Sequence, residues 1–240
     1  MNKTDLIRFS ATTHVGLKRK VNEDSLLALA DQNLWVVADG MGGHAGGDFA
    51  SQTVVENVAA IDLNQSPSDL MVSLRNAIMS AHTAIRAEAK SRAGVMMGAT
   101  VVTLMVADGH FIAFWAGDSR LYRLESGMLS MLTNDHSIVA ELVLAGELTW
   151  DEAESHPQSN AITRAVGVGD ILELDKIRGE ITPGTRFMLC SDGLTKYANT
   201  ATLERVLSSE PIETVADTLL KIALDGGGAD NISIIVIDVI

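Results

Sequence analysis

Cysteine is almost absent from this sequence. Cys190 stands alone among 240 residues, so no intrachain disulfide can form and a reducing compartment is the natural home. Aromatic side chains are scarce too, at 4%, which leaves Val, Ile, Leu, Ala and Met to fill the core. Positive charge is in deficit: 18 Lys and Arg stand against 31 Asp and Glu, a net charge of −13. That balance excludes a nucleic-acid binder, whose phosphate partner needs a basic footprint. It argues equally against docking on an anionic membrane surface. No stretch approaches the roughly 18–20 apolar residues that a membrane span needs, and residues 1–10 hold no apolar run of the signal-peptide kind. The sequence therefore reads as a cytoplasmic protein whose acidity serves solubility or holds cations.

What is present is ordinary for a globular chain, 47% hydrophobic and 20% charged. The length suits one large domain or two small ones. With no repeat, low-complexity tract or long polar linker, a single domain over 1–240 is expected. Residues 25–30 and 34–38 have the composition of strands. Two helices follow by apolar spacing, one through Ala50, Thr53, Val54, Val58 and Ile61, the other through Leu70, Leu74, Ala77, Ile78, Ala81 and Ile85. Pro67 and Ser68 mark the start of the second. Residues 100–131 are β-rich, with turns at Asp108-Gly109, Gly117-Asp118 and Ser126-Gly127, and read as one antiparallel meander. A polar segment, about 136–170, reads as an appended flap with small helices. Strand-like runs return at 186–190 and 232–239. Between them a helix opens after Pro211 and stops at Gly226-Gly227-Gly228. Strands in runs and helices in pairs predict an α+β fold with antiparallel sheets.

Four aspartates share one setting, beside Gly, Ser or Asn at the edge of an apolar run. They are Asp39-Gly40, Asp118-Ser119, Asp192-Gly193 and Asp230-Asn231. One such pair is a turn. Four at strand ends of one domain can converge, and converging carboxylates repel unless a cation neutralises them. The donors are oxygens, with no Cys–His grouping at zinc spacing, so Mg²⁺ or Mn²⁺ is favoured. Two such ions can hold a phosphoryl group and activate a bridging water. Arg19, just ahead of Asn22-Glu23-Asp24, could grip the phosphate in bidentate fashion.

Other chemistries fit poorly. A cysteine phosphatase needs Cys, five residues, then Arg, but Cys190 meets Lys196 at that spacing and the loop holds Asp192. Cys190 reads instead as a small core residue. No two aspartates lie two positions apart, as an aspartyl-phosphate enzyme requires, and no Walker loop or His-Glu-x-x-His helix is present. Residues 40–45, Gly-Met-Gly-Gly-His-Ala, with Asp62 beyond, mimic a dinucleotide fingerprint. That reading puts Asp62 at a helix end, where a second parallel strand should finish, and leaves Asp118, Asp192 and Asp230 idle.

The motifs taken in order resemble the PPM (type 2C) metal-dependent serine/threonine phosphatases in their free-standing bacterial form. The resemblance begins at Arg19-Lys-Val-Asn-Glu-Asp24 and Val37-Ala-Asp-Gly-Met-Gly-Gly-His-Ala-Gly-Gly47. It continues through Gly98-Ala-Thr100, Ala116-Gly-Asp-Ser-Arg120, Asp135-His-Ser137 and the 156–167 segment, and ends at Ser191-Asp-Gly-Leu194 and Asp230-Asn231. It implies a central sandwich of two antiparallel sheets flanked by pairs of helices, with the active site at one edge. It implies that Asp39 bridges two Mn²⁺ or Mg²⁺ ions, that the Gly40 carbonyl sits on one of them, and that Asp192 and Asp230 complete the other's shell. By the same resemblance Glu23 acts through water, Arg19 binds substrate phosphate, and Asp118 with Asp192 holds a weaker third ion. The partners implied are phosphorylated proteins, among them a Ser/Thr protein kinase and its targets. Met41 stands where the eukaryotic branch has a histidine. His44 is the nearest imidazole for the leaving-group proton, and a metal-bound water is the alternative. His136 and His156 read as holding the flap together, and His14, His82 and His110 as structural.

Overall fold

Alternation decides the architecture. In β3 (Leu34–Gly42) the odd and even side chains enter two different cores. Leu34, Val36 and Ala38 face a layer of helices, while Trp35 and Val37 face a second sheet. Every one of the five is completely buried, so this strand is apolar on both faces, as a strand inside a sandwich must be. The computed structural model describes residues 7–42, 46–154 and 156–240.

Two antiparallel sheets stack on one another. The first runs β1 (Ile7–His14), β11 (Ile232–Val239), β10 (Arg186–Cys190), β7 (Arg120–Glu125) and β8 (Met128–Met131). The second runs β2 (Asp24–Leu29), β3, β5 (Val101–Ala107), β6 (His110–Ala116) and β9 (Asp175–Glu180), with the short β4 (Met97–Ala99) paired to the end of β3. Trp35, Leu104, Phe111, Phe187, Leu189 and Ile235 fill the space between the sheets. Helices α1 (Gly46–Ala59) and α2 (Pro67–Ser91) cover the second sheet, burying Val54, Leu74, Ile78 and Ile85. Helices α6 (Thr200–Ser209) and α7 (Ile212–Asp225) cover the first, through Leu203, Val206, Val215 and Leu219. The order of layers is helix, sheet, sheet, helix, as the family resemblance implied.

Three expectations change. The cap of α2 is Ser66, whose hydroxyl accepts from the Asp69 N–H with Pro67 in the first turn, so Ser68 is already helical. Residues 100–131 are not one meander. β5 and β6 pair in the second sheet, but β7 and β8 belong to the first. Gly117-Asp118 is therefore a crossing between sheets. Gly117 has φ +108°, and a Cβ there would lie 2.6 Å from the Thr100 side chain, so glycine is required where the chain changes layer. β3 also continues past Ala38 to Gly42, because β4 pairs with its last three residues. Strands β1 and β9 and helix α6 were not anticipated. The segment between β8 and β9 carries α3 (Ile138–Leu144) and α4 (Trp150–Glu154), the small helices expected there.

Candidate metal centre at the edge of the sandwich

The four aspartates reach one place by four routes. Asp39 lies on β3 directly opposite Asp24 of β2. Its backbone N–H donates to Thr100 Oγ1 at 3.0 Å, and the Thr100 N–H donates back to the Asp39 carbonyl at 2.8 Å. Asp118 sits at the crossing from β6 to β7, and the adjacent Ser119 hydroxyl lies 2.7 Å from Thr100 Oγ1. Asp192 opens the four-residue helix α5 (Asp192–Thr195) straight off β10. Asp230 precedes β11. These strand ends share one edge of the sandwich because β10 and β11 are neighbours in one sheet and β3 and β5 in the other.

A cavity of about 230 Å³ opens there, lined by Arg19, Glu23, Asp39, Gly40, Asp118, Asp192 and Asp230 together with Lys196 and Asn231. The structure thus brings together the expected site residues except His44, which lies outside the described residues. Close backbone approaches shape the wall. A Cβ on Gly40 would stand 2.1 Å from the Gly47 carbonyl oxygen, and one on Gly193 would stand 1.9 Å from the Asn231 carbonyl oxygen. Only glycine lets these strand ends meet so closely. Asn231 binds the arginine loop in place. Its side chain accepts from the Glu23 N–H at 2.8 Å and donates to the Val15 and Val21 carbonyls at 2.9 and 3.0 Å.

The electrostatics show carboxylates in need of positive charge. Burial, reinforced by Asp24 and Asp192, pushes Asp39 well above the usual carboxylate range. Burial and the charge of Asp192 push Asp118 up to about 8. Asp24, buried behind Asp39, is pushed up to about 7 by burial despite the Ser191 hydroxyl that donates to its Oδ2 at 2.8 Å. Burial also raises Glu23. Asp230 behaves oppositely. Burial would raise it, but Lys196 and Arg19 hold it below its ordinary value.

Two cations stand among these acids. Arg19 meets Asp230 Oδ1 at 3.0 Å and keeps half its side chain exposed at the mouth. The Lys196 ammonium lies 2.7 Å from Asp192 Oδ2 and 3.1 Å from Asp230 Oδ2. Among the described residues, no three His, Cys, Asp or Glu side chains stand together as a metal-holding group. The donor set nevertheless fits a hard cation. Asp192 Oδ1 and Asp24 Oδ1 are buried and find no hydrogen-bond partner among the described residues. A buried carboxylate oxygen without a partner is costly unless something positive meets it. All the acidic donors are oxygens, which suits Mg²⁺ or Mn²⁺.

The alternative chemistries fail on geometry. Cys190 is fully buried on β10, and burial pushes its thiol up to about 12, so no thiolate nucleophile is available. The glycine-rich turn after Asp39 follows an antiparallel strand, and Asp62 falls beyond α1 with no parallel strand to end, which excludes the dinucleotide site. Each of the five described imidazoles makes a backbone contact through Nδ1. His14, His82, His136 and His156 accept from the Gly16, Gly167, Gly117 and Gln158 N–H groups, and His110 lies 2.9 Å from the Asp108 carbonyl. His136 also stacks on Trp115 and reaches Asp175.

Lys196, Asn231 and Asp24 were not singled out from the sequence as site residues. Lys196 had a usable signal, since four positions after Asp192 is one helical turn. Asp24 ends the Arg19–Asp24 motif, but its partner Ser191 lies 167 residues away, so its place behind Asp39 was not legible.

A helix-flanked double sheet whose edge gathers carboxylates around one cavity defines an acidic, oxygen-donor site. The comparisons agree. The family model described as protein phosphatase 2C matches residues 15–226. The serine/threonine protein phosphatase PstP of Mycobacterium tuberculosis is 37% identical over 238 residues, covering 99% of this chain and 46% of PstP. This chain therefore spans about half the length of that relative. PppA of Pseudomonas aeruginosa, described as a key regulatory component of T6SS, superposes with a TM-score of 0.90 at 40% identity over 98% of both chains. The catalytic domain of PstP in complex with 2 manganese ions superposes with a TM-score of 0.89 at 35% identity over 98% of both chains. The chain belongs to the protein phosphatase 2C family.

Proposed function

We propose that this chain is a metal-dependent protein serine/threonine phosphatase that hydrolyses phosphoserine and phosphothreonine by direct attack of water. One observation carries the reading. A single cavity gathers Asp39, Asp118, Asp192, Asp230 and Glu23, with Arg19 at its mouth. Metal dependence is supported by the manganese-bound relative of the same fold. Two Mn²⁺ or Mg²⁺ ions held there supply Lewis-acid charge to the phosphoryl oxygens and acidify the attacking water.

The chain's own residues do the rest. Asp39, the Gly40 carbonyl, Asp192 and Asp230 would hold the ions. Glu23 acts through water, and its backbone is fixed by Asn231. Arg19 turns its guanidinium from Asp230 toward the arriving phosphate, a bidentate partner for two of its oxygens. Water attacks directly, without a phosphoenzyme; Cys190, the lone thiol, is buried away from the cavity lining. The leaving-group proton comes from His44 or from a water. The segment about 136–170 acts as a flap over the edge, and 1–240 forms one catalytic domain. Substrates are phosphorylated proteins, including a Ser/Thr protein kinase and its targets. A cytoplasmic setting is supported by the lone cysteine, which is free and buried.

The test is hydrolysis of a small aryl phosphate by chelated protein resupplied with Mn²⁺ or Mg²⁺, beside Asp192→Asn. Turnover that needs the ion and vanishes in the variant supports the reading. Folded protein that is inactive with either ion would point to a non-catalytic member of the family.

A further inference from the structure

We infer that Lys18 and Lys20 form a basic rim beside Arg19 that selects phosphorylated segments carrying Asp or Glu next to the phosphoresidue. This rests on the phosphatase reading above and names the substrate chemistry it favours. Lys18-Arg19-Lys20 is the only run of adjacent basic residues in a chain of net charge −13. Positive charge so scarce is concentrated where the substrate phosphate is proposed to arrive. All three residues are exposed. Arg19 already has a carboxylate partner in Asp230. No ion pair engages Lys18 or Lys20 among the described residues, so their charge is left to act on whatever docks there.

The backbone that carries the run is pinned on both sides of it. The Leu17 N–H donates to the Gly228 carbonyl at 2.6 Å, and the Asn231 side chain holds the Val15 and Val21 carbonyls. Gly16, at φ +81°, is pressed so close to the Asp230 carbonyl that a Cβ there would lie 2.1 Å from its oxygen. The loop is thus fixed to the chain segment that bears Asp230, while each lysine ammonium rides on a flexible four-carbon stem. Neighbouring Cα atoms are about 3.8 Å apart, so both ammoniums can reach a carboxylate one or two residues from a phosphate held by Arg19. The rest of the cavity wall offers an acidic segment nothing comparable. Its other basic residue, Lys196, is engaged by Asp192 and Asp230, and the remaining charged residues are carboxylates.

The experiment compares kcat/KM with Mn²⁺ for two phosphothreonine peptides that differ only in their flanking residues, Glu in one and Gln in the other. Wild type, a Lys18→Gln/Lys20→Gln double variant and a Lys18→Arg/Lys20→Arg double variant are each assayed, with a small aryl phosphate as the flank-free reference. Wild type and the arginine variant should prefer the Glu-flanked peptide by about threefold or more at about 50 mM salt, the scale of two exposed charge pairs. Salt at about 1 M, which screens charges beyond about 3 Å, should erase the preference. The glutamine variant should lose it at low salt and keep wild-type turnover of the aryl phosphate. A wild type active on the aryl phosphate but indifferent to the flanks would overturn the assignment alone. So would a glutamine variant that keeps the preference, or an arginine variant that loses it. A wild type that fails on the aryl phosphate with Mn²⁺ overturns the phosphatase reading itself, and the assignment with it.

Discussion

Without metal, this chain should be less stable at pH 8 than at pH 6.5, and Asp118→Asn should remove part of that loss. The carboxyl of Asp118 is pushed to about 8 by burial and by Asp192, whereas in the unfolded chain it titrates near the ordinary aspartate value of about 3.9. Between those values the folded state holds a proton that the unfolded state has released, so stability falls as pH rises. The penalty is absent below the unfolded pKa and complete above the folded one. Each pH unit in the window removes about 1.4 kcal/mol per such group, so a rise from about 6.5 to 8 removes about 2 kcal/mol through Asp118 alone. Asp39, also raised, adds in the same direction. For a chain of this size that corresponds to a fall in Tm of about 4–8 °C. His82 and His136, held below the ordinary imidazole value by burial, act in the opposite sense. Their effect is confined below about pH 6.5, outside the window. The assay is thermal unfolding in chelator across that range, for wild type and Asp118→Asn. The variant should be the more stable protein at pH 8, a case of function held against stability. A wild-type Tm that is flat or rises with pH, or a variant with the full slope, would refute the reasoning.

Three further outcomes follow from the same geometry. Arg19→Ala should lower kcat/KM for a phosphopeptide by roughly 10- to 100-fold, the value of a charged hydrogen-bond pair of about 1.5–3 kcal/mol, with little change in Tm because the residue is half exposed. Gly193→Ala should weaken Mn²⁺ binding measured by calorimetry, since a Cβ 1.9 Å from the Asn231 carbonyl must displace the loop that carries Asp230. Ile78→Ala, at a completely buried position of α2, should cost roughly 3 kcal/mol in denaturant unfolding and leave the metal count unchanged.

The sequence was most informative where one physical signal dominated. α2 and α7 showed their apolar stripes at helical spacing, and β3, β10 and β11 were largely apolar runs. The four aspartates were visible because each interrupts such a run beside a small or turn-forming residue. What stayed hidden was amphipathic or non-local. β1 alternates along Ile7–His14 through Arg8, Ser10 and Thr12 and buries none of its residues fully, so its pattern was faint. β9 reads Asp-Lys-Ile-Arg-Gly-Glu, with too little apolar content to stand out. α6 rests on Leu203, Val206 and Leu207 alone. Gly117-Asp118 announced a turn but not which sheet the chain enters next, because a turn's composition carries no information about pairing partners. The same limit hid Asp24 and Asn231, whose roles depend on contacts with residues far along the chain.

The most direct test of the account is phosphate release from a phosphothreonine peptide, measured in chelator and then with Mn²⁺, for wild type beside Asp39→Asn. On the proposed roles Asp39 would hold both ions, and metal charge is worth several kcal/mol to phosphoryl transfer, so the variant should lose on the order of 10³-fold or more. Wild type should be silent in chelator and active with the ion. Equal turnover with and without metal, or an Asp39→Asn protein that still turns over normally, would contradict the account.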